Sequence, residues 1–207
     1  KFGGTSVGKP ERMHQIVSLV TKEAEPVIVV LSALSGTTNA LVSIGDHIAK
    51  GDRNGAKQAI DTLEAHYQAF IADLLKKPDT LAKAKGILAE HFEFLNIILK
   101  ISFSEALSKD ILAQGELLST KLFSTYLEEQ GIDHALLPAL EFMTIDSYDE
   151  PQIGSIKIRL GQLLQQHKDK KFFVTQGYIC RNARGEVDNL KRGGSDYSAS
   201  LIAAAIK

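Results

Sequence analysis

The sequence has little of what marks membrane, secreted or nucleic-acid-binding proteins. Its 207 residues include no tryptophan and a single cysteine, Cys180, which excludes an intramolecular disulfide framework and fits a reducing compartment. No apolar run approaches the roughly 20 residues of a membrane-spanning helix, and no signal-peptide pattern is present. The 24 basic residues are balanced by 25 acidic ones, so no basic excess points to nucleic acid. We therefore expect a soluble, cytoplasmic protein that binds neither nucleic acid nor membrane.

Apolar segments of strand length alternate with amphipathic segments of helical period. Val27 to Leu31 is typical of a buried strand, and a helix is predicted to follow from about Asn39. The stretch "KKFFVTQGYI" predicts another buried strand, whereas the pattern from Asn54 to about Gln130 is strongly helical. Strands that alternate with helices indicate an α/β sandwich with a mostly parallel sheet.

Shorter elements are predicted between and beside these segments. "HALLPAL" and "EFMTID" are typical of short strands, Ile153 to Gln166 of a helix, and "NARGEVDN" of a polar turn. Pro10 suits the first position of a helix, because its missing N–H would have no partner there. Ser195 is predicted to be the N-cap of the last helix.

The chain opens with "KFGGTSVGKP", in which Gly3 to Lys9 fit most of the P-loop pattern G-x-x-x-x-G-K-[ST]. Pro10 has no hydroxyl and no N–H, so it removes the metal ligand that this pattern requires. An ordinary glycine turn is one alternative. The other uses Lys1: a lysine at a strand end, followed by two glycines, places an ammonium beside unhindered N–H donors and suits a phosphoryl group in transfer.

Two further stretches place polar side chains where a parallel sheet binds ligands. In "LSALSGTTN", Ser32 follows a strand and Thr38 lies near the next helix N-terminus. In "AQGELLST", Glu116 stands in an otherwise uncharged helical run beside Gly115, which permits a close approach of backbone. The competing interpretations are a loop that merely caps a helix and a solvated glutamate on a helix surface.

The stretch "LKRGGSDYSAS" combines an arginine, two glycines and a helix start. These features predict a donor-rich anion site with an acid inside it, formed by Arg192, Gly193, Gly194, Ser195 and Asp196. A flexible surface loop is the alternative. The six histidines stand singly, without metal-ligand spacing, so no protein metal site is predicted.

In chain order, "KFGGTSVG", "VVLSALSGTTN", "GELLST", "FVTQGYI" and "RGGSDYSASLIAAAI" resemble the aspartokinases of the amino-acid kinase superfamily. The resemblance runs from the first residue to the last, and it favours the Lys1 interpretation of the opening loop. It implies a three-layer αβα sandwich and phosphorylation of the β-carboxylate of L-aspartate to 4-phospho-L-aspartate. ATP would be the co-substrate with Mg²⁺, the product would feed lysine, threonine and methionine biosynthesis, and the protein would be a homo-oligomer.

The resemblance also implies roles for individual residues. Lys1 would neutralise charge on the transferring phosphoryl group, and Asp196 would orient this lysine or a metal-bound water. Glu116 would pair with the substrate ammonium, and Arg192 would grip a carboxylate. The implied substrate-binding set is Ser32, Thr38, Glu116, Arg192 and Ser195, and the implied phosphate-binding set is Lys1, Gly3, Gly4, Gly193 and Gly194.

The sequence departs from the family pattern in two respects. Lys191 stands where the family commonly has glycine, and the family's nucleotide half and regulatory ACT domains would lie beyond Lys207. We therefore expect residues 1–207 to be an incomplete kinase domain, its N-terminal aspartate and phosphoryl side, with a helical insertion at about 54–130. The alternatives are another amino-acid kinase, acting on glutamate, acetylglutamate or UMP, and a non-catalytic amino-acid-binding fragment.

Overall fold

The computed structural model describes residues 1–22, 25–191 and 193–207, so the predictions for Arg192 lie outside the described residues. Its helices are α1 (Gly4–Val7), α2 (Pro10–Val20), α3 (Thr37–Ala49), α4 (Arg53–Leu74), α5 (Pro78–Ile98), α6 (Glu105–Glu129), α7 (Ala139–Phe142), α8 (Ile153–Gln166) and α9 (Gly194–Ala205). Its strands are β1 (Val27–Leu31), β2 (Ala135–Leu137), β3 (Phe172–Gln176), β4 (Ile179–Arg181) and β5 (Val187–Asn189).

A parallel sheet in the order β1-β3-β2 forms the centre of the described residues. Leu31 pairs with Gln176 at the carboxyl ends of β1 and β3. On the other side of β1, Phe2 forms a parallel bridge with Leu31, and its N–H donates to the carbonyl of Val30 at 2.9 Å. The strand ends and the chain segment after Phe2 therefore meet at one edge of the sheet, where parallel sheets bind ligands.

Helices cover both faces of this sheet. Because successive strand side chains point to opposite faces, Val29 and Leu31 belong to one core with α2 to α6, while Val30 and Phe173 belong to another with α7 to α9. The order of helix, sheet and helix confirms the α/β class and the layered sandwich. In the described part of the chain, no helix has the length and apolar character to cross a bilayer.

The helical region after α3 consists of α4, α5 and α6, and each helix starts at a residue that physical chemistry favours there. Asp52 accepts a hydrogen bond from the Gly55 N–H at 2.9 Å, Pro78 opens α5, and Ser104 accepts from the Leu107 N–H at 3.1 Å. Helix α6 also holds the start of α5, because Glu129 accepts hydrogen bonds from the backbone of Lys76 and Lys77. These bonds fix α6 relative to its neighbours.

The prediction of a strand at "EFMTID" is wrong. Residues Ala139–Phe142 form the short helix α7, and only Thr144 and Ile145 keep isolated β-bridges. Pro138 precedes the helix as its N-cap, and the N–H of Ala139 donates to the side-chain oxygen of Gln176 at 2.8 Å. This buried hydrogen bond satisfies an N–H that has no partner within the helix, and Ala139 and Phe142 of α7 are both fully buried.

Three predictions near the end of the chain also differ from the structure in their boundaries. The segment "KKFFVTQGYI" divides at Gly177 into β3 and β4, and β4 pairs with β5 as an antiparallel hairpin. The polar turn predicted at "NARGEVDN" is wrong for its last three residues, Val187–Asn189, which form β5. The last helix starts after Gly193, with φ of 76°, so Ser195 lies inside its first turn and is not the N-cap. Glycine adopts this left-handed conformation without the steric penalty that a side chain pays.

Gly115 gives a test of how closely α6 packs against the loop after β1. A Cβ added there would lie 2.8 Å from the Ala33 Cβ, whereas one added at exposed Gly86 in α5 would meet nothing within 4 Å. We expect Gly115→Ala to lower the free energy of unfolding by about 1–3 kcal/mol through overpacking. Gly86→Ala should raise it by about 0.5–1 kcal/mol, because alanine is the better helix former. Denaturant titration measures both, and a stabilising Gly115→Ala would refute the close contact.

Candidate active site

A cleft of about 550 Å³ opens at the carboxyl ends of β1 and β3. This volume lies within the range of small-molecule sites, roughly 300–1,000 Å³. Five separated stretches of chain line it. The lining residues are Lys1, Gly4, Thr5, Ser32, Ala33, Leu34, Ser35, Gly36, Thr38, Asn39, Glu116, Tyr178, Lys191, Gly193, Gly194, Ser195 and Asp196.

Most residues that the sequence singled out meet in this cleft. Those that line it are Lys1, Gly4, Ser32, Thr38, Glu116, Gly193, Gly194, Ser195 and Asp196. Gly3 lies beside them, since a Cβ added there would be 3.5 Å from the Lys1 Nζ. Lys9, the lysine of the P-loop pattern, is exposed at the N-cap of α2 and is absent from the cleft lining. The opening loop therefore brings Lys1 to the cleft instead.

The glycine loop at the start of the chain interlocks with the loop after β1. A Cβ added to Gly4 would lie 2.9 Å from the carbonyl oxygen of Ala33, and one added to Gly8 would lie 2.8 Å from the Ser35 Cβ. Glycine at these two positions allows the backbones to approach closely. The two loops form one wall of the cleft.

Helix α6 holds the same loop from behind. The Ala33 N–H donates to Glu116 Oε1 at 3.2 Å, and Ser119 Oγ donates to the carbonyl of Ser32 at 2.7 Å. Gly115 lets the helix approach Ala33. Residues of the "GELLST" stretch thus contact the end of β1 and the loop that follows it. Glu116 is 4% exposed, so the alternative interpretation of a solvated glutamate on a helix surface is wrong.

Glu116 has one carboxylate oxygen satisfied and one free. Oε2 is buried and has no hydrogen-bond partner among the described residues. Burial raises the pKa of Glu116 from 4.5 to about 7, against the opposing effect of the Ala33 N–H. A buried carboxylate without a cation is costly, so the arrival of a ligand ammonium would relieve this cost.

Lys1 and Asp196 form an ion pair within the cleft. Lys1 Nζ lies 3.1 Å from Asp196 Oδ1, and the lysine side chain is 19% exposed whereas the aspartate is 77% exposed. The exposed partner makes this pair weak as a source of stability. Its consequence is orientation: the ammonium is held near Gly3 and the first turn of α9, where backbone N–H groups and the helix dipole favour an anion.

Tyr178 and Lys191 are among the cleft-lining residues that the predicted site did not include. Both have left-handed backbones, with φ of 68° and 60°. Tyr178 lies over Gly194, where an added Cβ would be 2.9 Å from its ring, and Lys191 Nζ pairs with Asp149 at 2.8 Å. Burial first, then the charge of Glu116, raises the pKa of Tyr178 to about 12. Gly177, directly after the last residue of β3, was the signal in the sequence that could have indicated Tyr178, because a glycine there marks a turn at the edge of the sheet where ligands bind.

Residue types that bind metals do not cluster in the described ranges. No group of three or more histidine, cysteine, aspartate or glutamate side chains there could hold an ion. Cys180 is buried, and burial raises its pKa to about 12, so it is a core thiol. The described lining of the cleft offers charged side chains, hydroxyls and backbone donors.

A family model of the amino acid kinases matches residues 1–207. The chain belongs to the amino acid kinase family. Its relatives include lysine-sensitive aspartokinase 3 of Escherichia coli K12, 32% identical over 209 residues that cover 100% of this chain. Bifunctional aspartokinase/homoserine dehydrogenase 2 of the same organism is 34% identical, with 99% of this chain covered.

Solved structures of family members agree with this fold. The crystal structure of E. coli aspartokinase III in complex with aspartate and ADP matches 99% of this chain with a TM-score of 0.82 and 28% identity. This chain spans 46% of the length of aspartokinase 3 and 25% of the bifunctional relative. The similarity therefore includes every loop that lines the cleft, but only part of each relative.

The raised pKa of Glu116 predicts how stability depends on pH. Between pH 4.5 and about 7, the folded state holds a proton that the unfolded state has released, so the free energy of unfolding falls as pH rises. We expect the loss to be on the order of 2–3 kcal/mol. Denaturant titration at pH 5 and pH 8 should show this fall in the wild type and not in Glu116→Gln.

Glu93→Gln, at an exposed position of α5, is the matched control for this measurement. It should retain the wild-type difference between the two pH values. A Glu116→Gln protein with an unchanged pH dependence would contradict the assignment of a buried, uncompensated carboxyl.

Proposed function

We propose that the chain forms the acceptor and phosphoryl side of an aspartate kinase, which transfers the γ-phosphoryl group of ATP to the β-carboxylate of L-aspartate. The observation that carries the proposal is the buried Oε2 of Glu116, which has no hydrogen-bond partner among the described residues, in a cleft that also holds the Lys1 ammonium. The aspartokinase names of the relatives support the same reaction. The product, 4-phospho-L-aspartate, would enter lysine, threonine and methionine biosynthesis.

Aspartate offers one ammonium and two carboxylates to this cleft. Glu116 would accept the ammonium, which leaves no buried charge unpaired. Ser32, Thr38 and Ser195 would donate hydroxyl hydrogen bonds to the carboxylates, beside the N-terminus of α3. Arg192 enters on its motif alone, as a bidentate partner for a carboxylate.

The β-carboxylate is ionised at neutral pH and is therefore a nucleophile without a general base. One of its oxygens would bond to the γ-phosphorus while the bond to the β–γ bridging oxygen breaks, and ADP leaves with that electron pair. Lys1 and the N–H groups of Gly3, Gly4, Gly193 and Gly194 would stabilise the charge on the moving phosphoryl group. Asp196 would hold Lys1 in place through the ion pair at 3.1 Å.

Mg²⁺ would accompany ATP, because this ion is usually held by one or two carboxylates together with substrate phosphates. Asp196 is the exposed one of the two carboxylates in the described cleft, and its exposure fits contact with a hydrated ion. Mg²⁺ would neutralise phosphate charge. We further propose that the chain is the N-terminal part of the kinase domain, with α4 to α6 as a helical insertion, in a cytoplasmic homo-oligomer.

The reaction is tested by ADP release from the full-length protein with Mg-ATP and a panel of acceptors. Aspartate should support turnover, whereas glutamate, acetylglutamate and UMP should support far less. A preference for one of the other acceptors would replace aspartate in the proposal. Turnover with none of them, together with aspartate binding by calorimetry, would favour a non-catalytic amino-acid-binding role.

Glu116→Gln in the full-length protein should raise the aspartate KM strongly and change the ATP KM little. A buried ammonium that loses its charged partner costs on the order of 2–4 kcal/mol, which corresponds to about 30- to 1,000-fold. Steady-state kinetics measures the effect, with Glu93→Gln as the control. An unchanged aspartate KM would remove Glu116 from the substrate site.

Lys1→Ala in the full-length protein should lower kcat far more than it changes aspartate affinity. The ammonium is needed mainly when the phosphoryl group moves, which is stabilisation of the transition state. Lys9→Ala is the matched control, because Lys9 would carry this role in a P-loop; we expect near-normal kcat. A normal kcat in Lys1→Ala, or a large loss in Lys9→Ala, would contradict the assignment.

A further inference from the structure

We infer that Tyr67 is a positioning residue for the proposed aspartate site: its phenol, through Thr37, fixes the first turn of α3 at the cleft. The inference rests on the proposed function for its kinetic readout. Tyr67 lies on α4, in the helical region that would be an insertion, and it is not among the residues that line the cleft. Through Tyr67, the helical region would therefore influence substrate binding without touching the substrate.

The first turn of α3 is bounded by residues that line the cleft. Gly36, with φ of 84°, precedes the helix, and no side chain of the described residues caps it. Gly36, Thr38 and Asn39 line the cleft, whereas Thr37 points inward and is 1% exposed. Any displacement of Thr37 would therefore move the residues on both sides of it relative to the substrate.

The inward side chain of Thr37 meets Tyr67. Thr37 Oγ1 and the Tyr67 hydroxyl are 3.0 Å apart and both buried, and they are 30 residues apart in the chain. Within the described ranges, this is the side-chain hydrogen bond that joins the first turn of α3 to another element. Buried hydroxyls need such a partner, so the pair has a strong preference for this one geometry.

Tyr67 is itself held in place. Its side chain is 0% exposed, and its ring lies edge-on to Phe92 of α5, with centroids 6.0 Å apart at an angle of 62°. Burial, opposed by the Thr37 hydrogen bond, raises the pKa of Tyr67, so the phenol stays protonated at neutral pH. The Tyr67 side chain is thus packed between α4 and α5, and its hydroxyl reaches Thr37 of α3.

The Tyr67 contact complements the contacts of α6. Glu116 and Ser119 hold the loop at Ser32 and Ala33, and Tyr67 holds the chain four residues later, at Thr37. Two separate helices therefore fix the two ends of the segment that carries Ser32 and Thr38. Only the α6 contact includes a residue that would touch the substrate.

The test is Tyr67→Phe in the full-length protein, which keeps the ring and removes the hydroxyl. We expect the aspartate KM to rise by about threefold to tenfold, the scale of one neutral hydrogen bond, with kcat within about twofold of the wild type. Tyr126→Phe is the matched control. Tyr126 is also largely buried, and its hydroxyl forms no hydrogen bond with the other described residues, so the aspartate KM of this variant should equal that of the wild type.

A double-mutant cycle decides whether the effect passes through Thr37. In a Thr37→Val background, Tyr67→Phe should have no further effect on the aspartate KM, because the bond is already lost. An unchanged KM in Tyr67→Phe would overturn the inference. Fully additive effects of the two substitutions, or a fall in kcat with a normal KM, would also overturn it.

Hydrogen exchange separates this inference from the proposed function, because it needs no substrate. Amide exchange in residues 37–40 should be faster in Tyr67→Phe than in the wild type, while exchange in α8 stays the same. If the wild type fails to bind aspartate but the exchange result holds, the proposed function fails and the positioning stands. Unchanged exchange would overturn the positioning itself.

Discussion

The candidate site depends on the contact between the middle of α6 and the loop after β1. Gly115 brings the helix against Ala33, Ser119 binds the carbonyl of Ser32, and Glu116 accepts the N–H of Ala33. These three contacts join a long helix to the carboxyl end of a central strand. They place the carboxylate of Glu116 in the cleft and keep it buried, which a position on the solvated face of the helix would not do.

The contact between α6 and the loop after β1 also has a free-energy cost, because it buries the carboxylate of Glu116. A carboxylate with one satisfied and one free oxygen in a buried position is unstable as an anion, and this is why its pKa is raised. The surrounding structure must compensate for it, through the core that α4, α5 and α6 form with β1 and β3. A cationic ligand would remove this desolvation cost on binding, so relief of the cost would contribute to the affinity of the complex.

The sequence was sufficient for those features that depend on local pattern. The strand Val27–Leu31, the helix Ile153–Gln166 and Pro10 at a helix start were each predicted where they lie, because burial period and proline geometry act within a few residues. The strand predicted at "EFMTID" was wrong because a distant hydrogen bond, from Ala139 to Gln176, favours a helical turn there. Local pattern carries no information about such partners.

Part of the candidate site could likewise be predicted from the sequence. Motif order brought Lys1, Glu116 and Asp196 together before any contact was known, and all three line the cleft. Tyr178 and Lys191 were not predicted as site residues: both have left-handed backbones, and neither residue type suggests such a conformation. The link from Tyr67 to Thr37 was equally invisible, since it joins residues on two helices.

The central claim is that Glu116 receives the ammonium of the substrate, and proton release on binding tests it most directly. Titration calorimetry of aspartate into the full-length protein at pH 7, in two buffers of different ionisation enthalpy, gives the number of protons exchanged. A carboxyl with a pKa of about 7 is half protonated at this pH, and an ammonium partner would ionise it fully, so binding should release about half a proton. The release should vanish in Glu116→Gln. Aspartate binding with no proton release in the wild type would contradict the account.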